Sequence, residues 1–413
     1  MKKKIWIINH YAGIPGISSG SRHFNLAKQL VKRGYDVTIF LSSAIHNIDY
    51  NNIVDGALYK NEEFEGVRFI SVKTTSYSGN GYKRIMNICQ FYVRVKKVAT
   101  IIGADEPPDV VIGSTMHPLT LCAGAKIAKK FCCKYIEEIR DLWPETFLSL
   151  KPNFNKHLLN FLYNIERKIY GKADILIFTF EGGYDYIVER GWQKYFPKSN
   201  VYYINNGIEF DSYRYNLDNY SIEDSDLDND KIFKAIYVGT IGVVNNIDLL
   251  VDAAEILIYK GYEDIEILIW GNGPELSRLE TEVSNRGLDN IKFKHNVEKK
   301  YIPYILSKSN VGLLHNRELP VHRFGTSQNK KYDYLASGRP VISTGKSGYD
   351  TIEKKKAGVT LDYPTPECLV DAIIKFYQMP KSQYNQYCKN ALDLVKEYDF
   401  AILVDILIDA IEK

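Results

Sequence analysis

Between Arg323 and Ser343 the chain carries residue types whose order suits a phosphate group. A polar loop, Gly325-Thr326-Ser327-Gln328-Asn329, leads into a short helical run, with Ser327 expected as its N-cap. Gly338 followed by Pro340 stops that run, and Val341-Ile342 begins a buried strand. A helix N-terminus offers unpaired N–H groups and a partial positive charge, which favours an anion. Lys330 in the first turn adds a full cation, against the dipole preference that places Lys at the other end. Asp333, three residues on, shares its face. Loop, helix start, cation and acid together would fit a nucleotide diphosphate and its ribose. On spacing alone, an ordinary βα connection with a solvated lysine fits equally well.

Those residues need a frame. At 413 residues the chain exceeds one ordinary core and suits two domains. A hydrophobic content of 45% with 25% charged residues is that of a soluble globular protein. A net charge of +3 gives no argument for a nucleic-acid partner, and none is expected. The six cysteines form no C-x-x-C pair and have no histidine companions at zinc spacing. Cys132 and Cys133 are expected in a strand-like core, reduced, in a cytoplasmic setting. The apolar run after Met1-Lys2-Lys3-Lys4 is too short for a signal peptide. No apolar stretch approaches the roughly 20 residues of a membrane span.

A strand at 5–8, a flexible loop holding Gly16 and Gly20, a helix ending at Gly34 and a strand at 37–41 open a doubly wound α/β domain. The G-x-G-x-x-G dinucleotide spacing is absent. Arg22, early in that helix, could meet an anion or be a solvated surface residue. Further strands are expected at 67–72, 110–113, 134–139, 175–179 and 201–204. Segments 82–100 and 151–172 are basic and rich in aromatic and aliphatic residues. Such helices lie on anionic membrane surfaces or pack on a core with a solvated face. The run from Glu138 to Glu145 leaves a strand end, where α/β sheets bind ligands, and brings Arg140, Asp141 and Trp143 there. A surface pair of Arg140 with Asp141 or Glu145 is the plainer reading.

The boundary comes near Asn206-Gly207, followed by an acidic run at 218–230 read as a loop or linker. A second α/β unit then has strands at 233–238, 265–269, 291–293, 311–314 and 341–343. The first of these ends in Gly239-Thr240-Ile241-Gly242 and the second in Gly271-Asn272-Gly273-Pro274. Glycines there let backbone approach a ligand.

Taken together, these motifs resemble glycosyltransferase family 4, of the GT-B fold. The carriers are Glu138 to Glu145 and Thr326 to Pro340, which resemble the amino-sugar transferase branch of O-antigen and capsule synthesis. Ser21-Arg22-His23, Asn206-Gly207, Tyr237-Val238-Gly239 and Gly271 to Glu275 extend the likeness over essentially the whole chain. The resemblance implies two Rossmann-like doubly wound domains with a cleft between them. An acceptor-binding domain would span 1–208 and a nucleotide-sugar domain 209–392, with a last helix at about 393–413 packing back on the first. The implied reaction is retaining transfer of a sugar from a nucleotide-diphosphate donor, UDP favoured, with no metal or other cofactor. The implied acceptor is a polyprenyl-diphosphate-linked lipid or a glycan, met at the inner face of the cell membrane with peripheral contact to anionic lipid.

The donor residues so implied are Gly16, Gly20, Arg22, Thr240, Gly242, Asn245, Gly271, Asn272, Ser327, Gln328, Asn329, Lys330 and Asp333. To these the resemblance adds Asn296-Val297, at the turn that meets the base, and Asn316 beside His315 at a strand end. Asp333 is placed to hold the ribose hydroxyls. Three positions depart from the family pattern. Gly325 stands where it has the first acid of a Glu-x7-Glu signature, and Thr240 and Asn245 stand where it has Arg and Lys. Lys330, the helix dipole and Arg22 are the expected replacements. Asp141 would orient or deprotonate the acceptor hydroxyl, unless the donor's own phosphate oxygen takes that proton. His117 fits a structural role as well as a functional one. A nucleotide-sugar epimerase of the same fold and a degenerate nucleotide-sugar-binding subunit are the competing readings.

Overall fold

A computed structural model describes residues 2–17, 22–45, 50–51, 53, 56–79, 81–115, 117–150, 155–315 and 319–413. The chain divides into two compact units, Met1–Asn205 with Phe400–Lys413, and Asn206–Asp399. The helix Lys381–Lys396 lies in the second unit, and the helix Phe400–Glu412 in the first.

The first unit holds β1 (Lys4–Ile8), β2 (Asp36–Ser42), β3 (Tyr59–Phe64), β4 (Val67–Val72), β5 (Val110–Ser114), β6 (Lys134–Ile139), β7 (Ile175–Phe178) and β8 (Val201–Tyr203). They pair in the order β3-β4-β2-β1-β5-β6-β7-β8, parallel except for β3 against β4. The sequence pattern gives no sign of β3. It is the exposed run Tyr-Lys-Asn-Glu-Glu-Phe, whose charges blunt a sheet edge. Side chains alternate across β1, so Ile5 and Ile7 face one core and Trp6 and Ile8 the other. The first core is closed by the helices Arg22–Lys32 and Phe400–Glu412 through Leu26, Leu30, Val404 and Leu407. The second is closed by Tyr82–Ile102 and Pro118–Phe131 through Phe91, Val95 and Ile127.

The second unit holds β9 (Phe233–Val238), β10 (Ile265–Trp270), β11 (Ile291–Phe293), β12 (Val311–Leu314), β13 (Val341–Ser343) and β14 (Gly358–Thr360), all parallel, in the order β11-β10-β9-β12-β13-β14. The acidic run at 218–230 is not a free linker. It leaves the helix Phe210–Asn219, buries Leu227 and is held by Lys292 at 2.6 Å from Asp226 and Lys294 at 2.8 Å from Asp224. Cys132 and Cys133 are not core strand residues either. Cys132 is the exposed left-handed cap (φ 51) of the helix Pro118–Phe131, and Cys133 is half-buried after it.

In each sheet one strand sits where the strand order reverses. β1 lies between β2 and β5, and β9 lies between β10 and β12. Connections leave such a strand toward opposite faces, which opens a crevice beyond its carboxyl end.

The last helix completes the first core, and polar contacts fasten it there. Arg33 lies 2.9 Å from Asp405, and Lys134 Nζ donates to the carbonyls of Ala410 at 2.8 Å and Ile411 at 3.0 Å. Leu407 is 3% exposed. Leu407→Ala is expected to lower stability by about 2–5 kcal/mol. A fall in the urea midpoint with unchanged slope is the signature.

Candidate functional site

In the second unit the strand ends near the reversal gather most of the expected donor residues. Gly271 follows β10 at φ 154, and a Cβ there would lie 1.8 Å from the carbonyl oxygen of Gly239, beyond β9. A Cβ on Gly273 would lie 2.0 Å from that of Ile241. Only glycine lets these loops stack backbone on backbone, with Ile241 N–H donating to Asn272 O at 2.9 Å. Asn245 donates its amide to Thr240 O at 2.6 Å, and Asn272 Oδ1 accepts from Gly273 N–H at 2.7 Å. Both asparagines therefore brace the loops that carry Thr240 and Gly242. Val297 is half-buried and Asn296 exposed after β11.

The helix Asn329–Ala336 is fixed to this rim by Tyr334. Its buried hydroxyl accepts from Val238 N–H at 2.8 Å and donates to Val238 O at 3.2 Å, at the end of β9. Lys330 is one turn earlier on the same face. It therefore arrives over the Tyr237 ring, 4.6 Å from its centre, with Nζ 3.2 Å from Tyr237 Oη and 3.3 Å from His315 O. Among the described residues Lys330 has no carboxylate partner. Burial pushes its pKa down to about 8. Tyr237 in turn donates to Thr240 O at 2.9 Å.

His315 behind it is a neutral prop. Its Nε2–H donates to Asn246 O at 2.6 Å, and Nδ1 accepts from the Thr344 hydroxyl at 2.6 Å. Burial lowers its pKa to about 4.

Two expectations change here. Gln328, not Ser327, is the N-cap, and it makes no side-chain cap bond. Ser327 Oγ instead accepts from Asn206 N–H at 2.9 Å, while its carbonyl takes the Asn206 amide at 2.6 Å. Asp333 does not pair with Lys330. Burial raises its pKa, opposed by the Lys299 ammonium.

Arg22, secondly, lies in the first unit and is not offered to an anion. Its Nη2 is 2.9 Å from Glu138 and 2.8 Å from Ile204 O, and Nη1 donates to Asn205 O. Glu138 also accepts from Ser114 and from His23 Nε2–H, each at 2.8 Å, and the Asn9 amide fixes that tautomer at His23 Nδ1. Burial alone would raise Glu138, but Arg22 and His23 outweigh it and hold the carboxyl well below its usual range. Gly16 lies apart from these groups, with φ 78 after Pro15 in a turn closed by Ile17 N–H to Ile14 O. Gly20 and Asn316 fall outside the described residues.

The reversal point of the first sheet brings two histidines together. His117 Nε2 lies 2.8 Å from His10 Nδ1, and His10 Nε2–H donates to Asn87 Oδ1 at 2.6 Å. Burial and Arg84 lower His117 to about 4. His117 and Asp141 line one cavity of about 230 Å³ with Leu121, Trp143, Glu166 and Ile169. Burial raises the pKa of Asp141 and Arg140 opposes it. Among the described residues Arg140 forms an ion pair with neither Asp141 nor Glu145. Glu166 at the cavity wall accepts from Tyr170 at 2.7 Å and Tyr186 at 2.6 Å, and burial lifts its pKa to about 8. The roles of Tyr237, His10 and Glu166 have no signature in spacing, since their partners are distant in sequence.

Residues 221–393 match the family described as Glycosyl transferases group 1, and residues 20–207 match the Glycosyl transferase 4-like domain. The chain belongs to these glycosyltransferases. Its fold is GT-B, shared with solved structures. An Escherichia coli structure described as trehalose-6-phosphate bound with UDP-2-fluoro glucose superposes at TM-score 0.73, 11% identical over 100% of this chain and 99% of that one. Sucrose-phosphate synthase from Thermosynechococcus elongatus gives 0.71, at 16% identity over 99% and 98%. Anabaena HepE, in complex with UDP and glucose, gives 0.64, at 14% identity over 99% of each chain. No curated protein sequence matches the chain. Among the described residues of this glycosyltransferase no cluster of three or more His, Cys, Asp or Glu is arranged for a metal ion, and no helix is long and apolar enough to cross a membrane.

The Arg22–Glu138 pair sets an acid limit for the first unit. A carboxyl with a depressed folded pKa adds stability above its unfolded pKa and loses it as pH falls through the folded value. The wild type is therefore expected to lose stability below about pH 4, whereas Glu138→Gln, which strands a buried guanidinium, costs about 3–5 kcal/mol at neutral pH and flattens that slope. Urea titrations of both proteins from neutral to acid pH measure it.

Proposed function

We propose that the chain moves a sugar, with retention and without a metal, from a nucleotide-diphosphate donor to a lipid-linked or polysaccharide acceptor. Surface polysaccharide synthesis, of O-antigen or capsule type, is the setting that the resemblance of Glu138 to Glu145 and Thr326 to Pro340 favours. The observation that carries this reading is Lys330, a desolvated ammonium at the strand reversal of the second unit with no carboxylate of its own among the described residues. A diphosphate would complete it. The uncapped start of the helix Asn329–Ala336 adds backbone N–H groups of the same polarity. The UDP and UDP-glucose named for solved relatives of this fold support a UDP donor.

In this reading the leaving diphosphate develops negative charge toward Lys330 and the helix start, which stabilise it as it departs. Thr240 and Asn245 supply no cation, so Lys330 acts without the usual partners. His315, neutral and braced on both nitrogens, sets the carbonyl that steadies Lys330. On the acceptor side Asp141, whose raised pKa suits a proton acceptor, orients the incoming hydroxyl and takes its proton or hands it to the donor phosphate. The polyprenyl-diphosphate or glycan portion of the acceptor is assigned to the first unit, beside the cavity lined by His117 and Trp143.

A thermal-shift panel of UDP-, GDP- and dTDP-sugars tests the donor. A ligand at about 100 times its dissociation constant adds roughly 2.7 kcal/mol, a shift of several degrees. UDP-sugars are expected to stabilise the wild type selectively, and Lys330→Ala to lose that stabilisation and about a hundredfold or more in turnover. Near-normal turnover in Lys330→Ala would remove Lys330 from the mechanism. Nucleotide stabilisation with no transfer to any acceptor would favour a degenerate binding subunit.

A further inference from the structure

Three neighbouring helices on one face of the first sheet carry a charge pattern that the transfer site does not use. Tyr82–Ile102, Pro118–Phe131 and Lys156–Tyr170 hold eleven Lys and Arg against a single acid, Glu166, which is 2% exposed. Elsewhere the chain has 42 of its 53 Lys and Arg against 49 of its 50 Asp and Glu. A nearly neutral protein thus gathers its positive charge on one face.

That face is also apolar where a solvated helix would be polar. Tyr82–Ile102 buries Phe91 and Val95, yet its outer side exposes Tyr82 (74%), Ile85 (63%) and Val93 (60%) at helical spacing. Beside Val93 a groove of about 390 Å³ runs against Pro118–Phe131, lined by Lys96, Lys97, Lys126 and Lys130. None of these four lysines has a carboxylate partner among the described residues. Lys96 is held 3.8 Å over the Tyr92 ring, which keeps its charge at the groove.

We infer that this face docks on an anionic lipid bilayer, with Ile85 and Val93 entering the headgroup boundary and the lysine groove receiving phosphate headgroups. A soluble polyanion would use the lysines but gain nothing from the exposed aliphatic stripe, so the two features together select a membrane. The docking helix begins beside the acceptor cavity. Arg84 Nε donates to Tyr11 Oη at 3.2 Å, and the Arg84 charge reaches His117. A lipid-borne acceptor would therefore meet the cavity from the surface to which the protein is bound. The inference deepens the lipid-linked acceptor of the proposed reading and rests on it for its purpose. Its test uses neither donor nor acceptor, so its failure leaves the donor assignment standing.

The test is flotation of the full chain with vesicles of phosphatidylcholine alone and of phosphatidylcholine with about one-third phosphatidylglycerol. The wild type is expected to bind the anionic vesicles at least ~10-fold more tightly than the neutral ones. Replacing Lys96, Lys97, Lys126 and Lys130 together by Gln should weaken that binding roughly a hundredfold, at a few-fold per lysine. Ile85→Ser with Val93→Ser should weaken it about tenfold while the preference for anionic lipid persists. Unchanged melting of each variant shows that folding is intact. Equal binding to both vesicle types, or full binding by the four-lysine variant, overturns the inference. So does retention on inorganic polyphosphate, insensitive to Ile85 and Val93, without flotation on any vesicle.

Discussion

A part-buried ammonium with no carboxylate beside it among the described residues is the constraint on which the second unit turns. Such a group is costly to bury and lowers its own pKa in response. The fold accepts that cost at Lys330 through contacts that are polar but uncharged, a tyrosine hydroxyl, a ring face and a backbone carbonyl. Each of these needs its own support. Tyr334 fastens the helix to β9, Thr344 and Asn246 fix His315, and the stacked glycine loops let β9 and β10 end side by side.

The first unit shows the opposite solution. Arg22 is deeply buried, but Glu138, Ile204 O and Asn205 O satisfy it, so it joins β6 to the segment after β8. A paired charge is architecture, and an unpaired one is an invitation to a ligand. The two sheets share a plan in which polar groups meet where the strand order reverses. They fill it differently, with a hydrogen-bonded pair of histidines in one and a lysine in the other.

Much of this was legible in the sequence, for physical reasons. Buried parallel strands are short apolar runs, so β1, β9 and β10 announce themselves, and Gly271-Asn272-Gly273 marks a loop because only glycine tolerates the approach of Gly239. The edge strand β3 does not, because its residues obey solvent rather than a core. Lys330 could be picked out by its unfavourable place at a helix start. Its lack of an acid partner among the described residues could not, since i,i+3 spacing permits a pair with Asp333 that the structure does not form. Arg22 failed for the mirror reason. Glu138 lies more than a hundred residues on, and nothing local shows that the two meet. Ser327 reads as a cap until Asn206 takes both its hydroxyl and its carbonyl.

If the Lys330 ammonium is the diphosphate's counter-ion, nucleotide binding must take up protons. Burial lowers the Lys330 pKa to about 8, so part of the population is neutral at pH 8.5, and a diphosphate beside it would restore the charge. Calorimetric titration of UDP at that pH, in buffers of different ionisation enthalpy, should report net uptake of a fraction of a proton. The uptake should vanish in Lys330→Arg, whose guanidinium is always charged. Tight UDP binding with no proton uptake, or the same uptake in Lys330→Arg, would show that Lys330 is not the counter-ion.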